Sequence, residues 1–135
     1  IIRGLPVYAE GGGLMYLANS IKFGISLTKM CNVFDIDLEM HEKPIGRGYT
    51  VLESDNHPWA MKNKNIHAHE FHYSSVKFNK KRYKYAYNVK RGYGINGRKD
   101  GLIYKNTIAS FSHLRSTSKF NWAKYFIKFI ELNNG

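Results

Sequence analysis

Three glycines in a row, Gly11, Gly12 and Gly13, set the strongest constraint on this chain. Before them, Leu5-Pro6-Val7-Tyr8-Ala9 reads as a short buried strand. After them, apolar residues at 14, 17, 18 and 21 follow the i, i+3, i+4, i+7 spacing of a helix. The order is strand, tight turn, helix, with the turn at the C-terminal end of the strand, where open α/β sheets hold their sites. Ala9 and Gly13 are small and lie two residues to either side of position 11. The strained elbow that lifts a nucleophile above a sheet needs small neighbours at those places. A helix N-terminus at such a turn lowers a thiol pKa and presents amides to an oxyanion. The same residues also fit an anion-binding glycine turn, or a plain turn with no ligand.

The rest reads as β-rich. Lys43-Pro44 marks a turn before a strand at 45–52, and Ser54 to Pro58 is a loop. Residues 66–74 alternate as a strand does. So do 83–89, where Tyr83, Tyr85, Tyr87 and Val89 face away from Lys84, Ala86 and Asn88. Asn96-Gly97, within a glycine-rich stretch at 92–101, predicts a turn or hairpin tip. Short strands follow at 102–104 and 108–111. Ser116, Thr117 and Ser118 offer N-caps for a last helix at 120–132, whose Trp122, Phe126, Phe129 and Ile130 form a core stripe. At 135 residues the chain is one domain, 1–135.

A hydrophobic content of 43% is enough for a packed core. No apolar run reaches the roughly 18–20 residues of a membrane span, and no secretory pattern opens the chain. The absence of an initiating Met places the expected N-terminus upstream. Cys31 is the single cysteine, so no internal disulfide forms, which fits a reducing cytoplasm. The formal net charge of +11 favours polyanions, nucleic acid or a polycarboxylate small molecule. Most of it lies between Lys77 and Lys105, interleaved with Tyr83, Tyr85, Tyr87, Tyr93 and Tyr104. That pattern fits a single-strand-binding surface or a solvated strand face. No nucleic-acid-binding motif accompanies it.

His67, His69 and His72 invite a metal reading, but on a strand His67 and His69 share one face and His72 takes the other. No second histidine motif or cysteine pair completes a ligand set, so no metal site is expected. A hydrogen-bonded structural role for these histidines and Glu70 fits better. His113 follows a short strand and becomes a general base only if it faces a nucleophile.

Five strings occur in one order: Tyr-Ala-Glu-Gly-Gly-Gly-Leu-Met-Tyr-Leu at 8–17, Lys-Pro-Ile-Gly-Arg-Gly-Tyr at 43–49, Ala-His-Glu-Phe-His-Tyr-Ser at 68–74, Asp-Gly-Leu-Ile-Tyr-Lys-Asn at 100–106 and Ala-Ser-Phe-Ser-His-Leu-Arg-Ser at 109–116. In this order they resemble the cobyrinic acid a,c-diamide synthases, especially the branch associated with sirohaem amidation. The resemblance spans 4–130. It implies an α/β fold, the C-terminal portion of a flavodoxin-like class I glutamine amidotransferase domain. That domain releases ammonia from glutamine for ATP-dependent amidation of tetrapyrrole carboxylates.

The resemblance puts the family's nucleophilic cysteine at position 11, where this chain has glycine, and its activating base at His113. Ala9, Glu10, Gly12 and Gly13 form the elbow, with the Gly12 amide as an oxyanion donor. His69, Glu70, His72, Tyr73 and Arg47 fall near the active site. The resemblance implies no cofactor in this chain; ATP and Mg²⁺ belong to a synthetase domain outside it. The partners it implies are glutamine, a tetrapyrrole polycarboxylate and the N-terminal part of the same enzyme.

Three departures follow. Gly11 can form no thioester, so the chain is expected to be inactive as a glutaminase. Arg115 stands two residues after His113, where class I triads carry an acid, so no carboxylate there orients the imidazole. The first half of the amidotransferase domain lies outside the chain, and without its strands the isolated chain is expected to be poorly stable. A catalytically dead, partner-binding relative is the second reading, and a basic nucleic-acid-binding module the third.

Overall fold

A computed structural model describes residues 1–59, 62–63 and 65–134. The elements are β1 (Val7–Glu10), α1 (Gly12–Leu17), β2 (Ser20–Phe23), β3 (Ser26–Lys29), β4 (Ile36–Met40), β5 (Gly46–Ser54), β6 (Ile66–His72), β7 (Ser74–Phe78), β8 (Lys84–Arg91), β9 (Lys99–Tyr104), β10 (Thr107–Ser110), β11 (His113–Leu114) and α2 (Trp122–Asn133). The mixed α/β architecture expected from the sequence is present.

A seven-stranded sheet runs β1-β10-β9-β8-β5-β6-β11, and a four-stranded sheet runs β3-β2-β4-β7. In the larger sheet β1 and β10 are parallel and the other pairs antiparallel. β1 and β11 are its two edges. The Leu114 amide of β11 donates to the Glu10 side chain, Oε1, at 2.8 Å.

Two apolar clusters hold these layers. One joins Leu14, Leu17 and Ala18 around α1 to Phe34, Ile36 and Leu38 beside the small sheet and to Leu102, Ala109 and Phe111 of the large one. The other gathers Leu52, Ile66, Ala86, Tyr87 and Ile108 beneath α2, whose Trp122, Phe126 and Phe129 pack on it half-buried. Residues 102 and 103, and 108 and 109, thus serve opposite clusters, as the two-residue strand period requires.

Several boundaries differ from the expected ones. α1 ends at Leu17, short of Ile21, because Ser20 and Ile21 pair with Asp37 and Leu38 of β4. The cap of α2 is Asn121, whose side chain accepts the Lys124 amide at 3.2 Å. Thr117 Oγ1 instead accepts the Phe120 amide in the preceding turn. Four of the five tyrosines among the lysines turn inward: Tyr87 is fully buried, while Tyr83, Tyr85 and Tyr104 pack against the first cluster; Tyr93 stays exposed. These four rings serve the core.

Candidate active site at the glycine elbow

β1 ends at Glu10, and the chain turns through Gly11 with φ 52° and ψ −110°. An L side chain reaches this left-handed region only under strain, of order 1–3 kcal/mol, which is where nucleophile elbows hold their central residue. A Cβ built on Gly11 would lie 2.8 Å from His113 Nε2 and 3.0 Å from its Cε1. Position 11 and His113, 102 residues apart in the chain, therefore point at each other. A Cβ on Gly13 would touch the Ala9 side chain at 3.1 Å, which explains why both flanking positions are small.

His113 is delivered by the sheet. β1 pairs in parallel with β10, with Glu10 opposite Ser110. Phe111 and Ser112 then turn the chain back. The buried Asp100 carboxylate fixes that turn, accepting the amides of Phe111 at 3.0 Å, Ser112 at 2.9 Å and Gly101 at 2.8 Å. Burial pushes the Asp100 carboxyl above the ordinary carboxylate range, against the pull of these donors. β11 then pairs with β6, setting His113 opposite His69, and the two rings stack at 5.0 Å and 11°.

Position 115 supplies no acid, as its arginine requires, but another element does. A carboxylate does face the imidazole: Glu10 Oε2 lies 3.3 Å from His113 Nδ1. It comes from the residue before position 11, so the pattern around His113 could not show it. Asp100 was likewise missed as a support, since nothing near it in sequence marks it as the anchor of a turn eleven residues on.

β6 separates the other expected residues. His67, His69 and Phe71 are exposed on one face, while Ile66, Ala68, Glu70 and His72 are buried on the other. His69 lines an open cleft of about 1440 Å³, with Arg47, Tyr49, Phe71, Arg91 and Arg115. Arg47 lies over the Phe71 ring at 5.8 Å, and Tyr73 meets the same ring at 5.3 Å. Glu70 and His72 do not reach the elbow. Glu70 Oε2 contacts His72 Nε2 at 3.1 Å, and its carboxylate accepts the Tyr93 amide at 2.6 Å and the Gly94 amide at 2.9 Å. The His72 ring stacks on Phe111 at 3.8 Å. Burial alone would raise the Glu70 pKa, but His72 and the two amides bring it below the ordinary carboxylate value. The pair thus supports the segment that carries His113 from beneath.

Among the described residues no group of three or more His, Cys, Asp or Glu side chains is placed to hold a metal ion. Cys31 is exposed, with its amide bonded to the Tyr16 carbonyl. No helix among the described residues is long and apolar enough to cross a membrane.

The description "CobB/CobQ-like glutamine amidotransferase domain" matches residues 1–120. A cobyrinate a,c-diamide synthase of Magnetococcus marinus is 35% identical over 127 residues, covering 93% of this chain and 27% of the relative. The synthase of that name from Archaeoglobus fulgidus is 37% identical, with the same shares. That of Methanosphaera stadtmanae is 40% identical over 111 residues, 80% of this chain and 23% of its own. The chain spans about a quarter of the length of these relatives.

Proposed function

Because the chain belongs to the CobB/CobQ-like glutamine amidotransferase family, we propose that it is the glutaminase portion of a cobyrinate-type a,c-diamide synthase whose nucleophile has been lost at Gly11. The observation that carries this reading is the approach of His113 Nε2 to the place a Cβ would take at position 11, 2.8 Å away. Everything around that point suits an activated thiol except the thiol itself.

With a cysteine at 11, His113 Nε2 takes the thiol proton and the sulfur attacks the glutamine carboxamide carbon. The amide of Gly12, next in chain, faces the developing oxyanion. Collapse expels ammonia, with the proton returned by His113, and leaves a thioester that water hydrolyses to glutamate. Ammonia then serves an ATP- and Mg²⁺-dependent synthetase part, which amidates carboxylates of a tetrapyrrole. With glycine at 11 the first covalent step has no sulfur, and amidation depends on free ammonia.

The test uses the complete protein that contains this chain. Unmodified, it should amidate its acceptor with ammonium and not with glutamine. Gly11→Cys should confer glutamine hydrolysis. Glutamine-dependent turnover by the unmodified protein, or a folded Gly11→Cys protein without glutaminase activity, would refute the reading.

A further inference from the structure

The residue two places beyond His113 is Arg115, yet the imidazole does not lack a carboxylate. We infer that Glu10 is the positioning residue of this site, holding His113 with Nδ1 toward itself and Nε2 toward position 11. The inference rests on the reading of position 11 and His113 as the glutaminase centre.

Geometry supplies four supports. Glu10 Oε2 lies 3.3 Å from His113 Nδ1, while Oε1 accepts the amide of Leu114, the very next residue, at 2.8 Å. The carboxylate is thereby clamped to the backbone of the strand that carries the ring, so ring and anchor move together. The opposite nitrogen, Nε2, is the atom that a Cβ at position 11 would meet. His69 stacks on the ring face and limits its tilt. The register of β1 on β10, with Glu10 opposite Ser110, fixes the spacing, and Asp100 fixes the turn between Ser110 and His113.

The chemistry follows from the tautomer. A carboxylate can only accept, so a hydrogen bond across this 3.3 Å ion-pair contact requires the proton on Nδ1 and leaves the Nε2 lone pair toward position 11. When Nε2 takes a proton from a thiol, the imidazolium forms beside a charge that stays ionised; Glu10 accepts no proton itself. Contacts of this kind in unliganded sites are commonly long and shorten when substrate binds. Nucleophile position and orienting acid are consecutive residues here, so the elbow itself carries two members of the site.

Two measurements decide the matter. In the complete protein that contains this chain, unmodified at position 11, the ring ¹⁵N shifts of His113, assigned with a His113→Gln control, should report the Nδ1-protonated form. Glu10→Ala should move the ring to the Nε2-protonated form. Glu10→Gln should do the same, because the amide keeps an acceptor for Leu114 and turns an NH₂ toward Nδ1; it serves if the Ala variant does not fold. In the complete protein carrying Gly11→Cys, Glu10→Gln should lower the glutaminase kcat about 10²-fold or more. The glutamine KM should stay within about threefold, the pattern of a group that acts on the transition state. An unmodified protein already in the Nε2-protonated form, shifts indifferent to Glu10, or a kcat within about twofold of the parent would overturn the inference. A Gly11→Cys protein that hydrolyses no glutamine counts against the proposed function instead, and the ring shifts still decide the role of Glu10.

Discussion

Glu70–His72 and Glu10–His113 are the same pair of side chains in two settings. The first is sealed: its side chains are 2% and 5% exposed, the carboxylate takes two backbone amides besides the imidazole, and the ring lies flat on Phe111. The second is open, 23% and 36% exposed, and its imidazole–carboxylate contact is longer. Its outward nitrogen has no bonded partner among the described residues and faces the empty side-chain position at Gly11. Every acceptor and donor of the sealed pair is committed, which suits architecture. One nitrogen of the open pair remains available, which suits chemistry.

The largest test of this contrast is Gly11→Cys in the complete protein. Glutamine hydrolysis should rise by several powers of ten, since loss of a nucleophile costs that much in enzymes that use one. The new Cβ must displace His113 slightly, and the left-handed backbone disfavours any side chain, so stability should fall by about 1–3 kcal/mol in urea denaturation. Next comes Glu70→Ala, which strands His72 and two amides and should cost about 3–5 kcal/mol by the same measurement. Gly46→Ala attacks the sealed pair from above. Its Cβ would lie 2.3 Å from His72 Nε2 and 2.5 Å from Glu70 Oε2, and the crowding should cost about 1–3 kcal/mol. Acid is a milder probe. The folded pKa of Glu70 lies below its unfolded value, so its contribution is complete above the unfolded pKa of about 4.3 and is lost as pH falls through the folded pKa. The urea midpoint should therefore drop on acidification, and less steeply in Glu70→Gln. Smallest is Glu10→Ala, which should change stability by no more than about 1 kcal/mol, as exposed pairs do. A loss comparable to that of Glu70→Ala would erase the distinction between the pairs.

The sequence disclosed the strand, turn and helix, because three glycines between an apolar strand and a helical stripe mark a tight turn; that the turn is a nucleophile elbow followed from the resemblance, since glycine alone suits many turns. It also divided the histidines of β6 correctly, since strand alternation alone sends 67 and 69 one way and 72 the other. It did not disclose the partner of His113. Glu10 reaches that ring through a parallel pairing and a turn pinned by Asp100, and no local pattern encodes contacts over such separations. The ends of α1 and α2 escaped for a related reason. Ser20 and Ile21 continue a helical stripe but find better partners in β4, and Asn121 outcompetes the Ser-Thr-Ser run as cap because the Phe120 turn has already used Thr117.

β1 carries the elbow, yet it is also the margin of the large sheet; among the described residues it pairs only with β10. Parallel strands are ordinarily enclosed on both sides. Any strand added along that margin would lie against the backbone that sets the angles of Gly11. Occupancy of the margin and occupancy of the site are then linked quantities. On the proposed function, whatever factor a docked strand adds to the affinity for glutamine, bound glutamine must return to the docking. The seam and the site would report on each other without a moving lid between them.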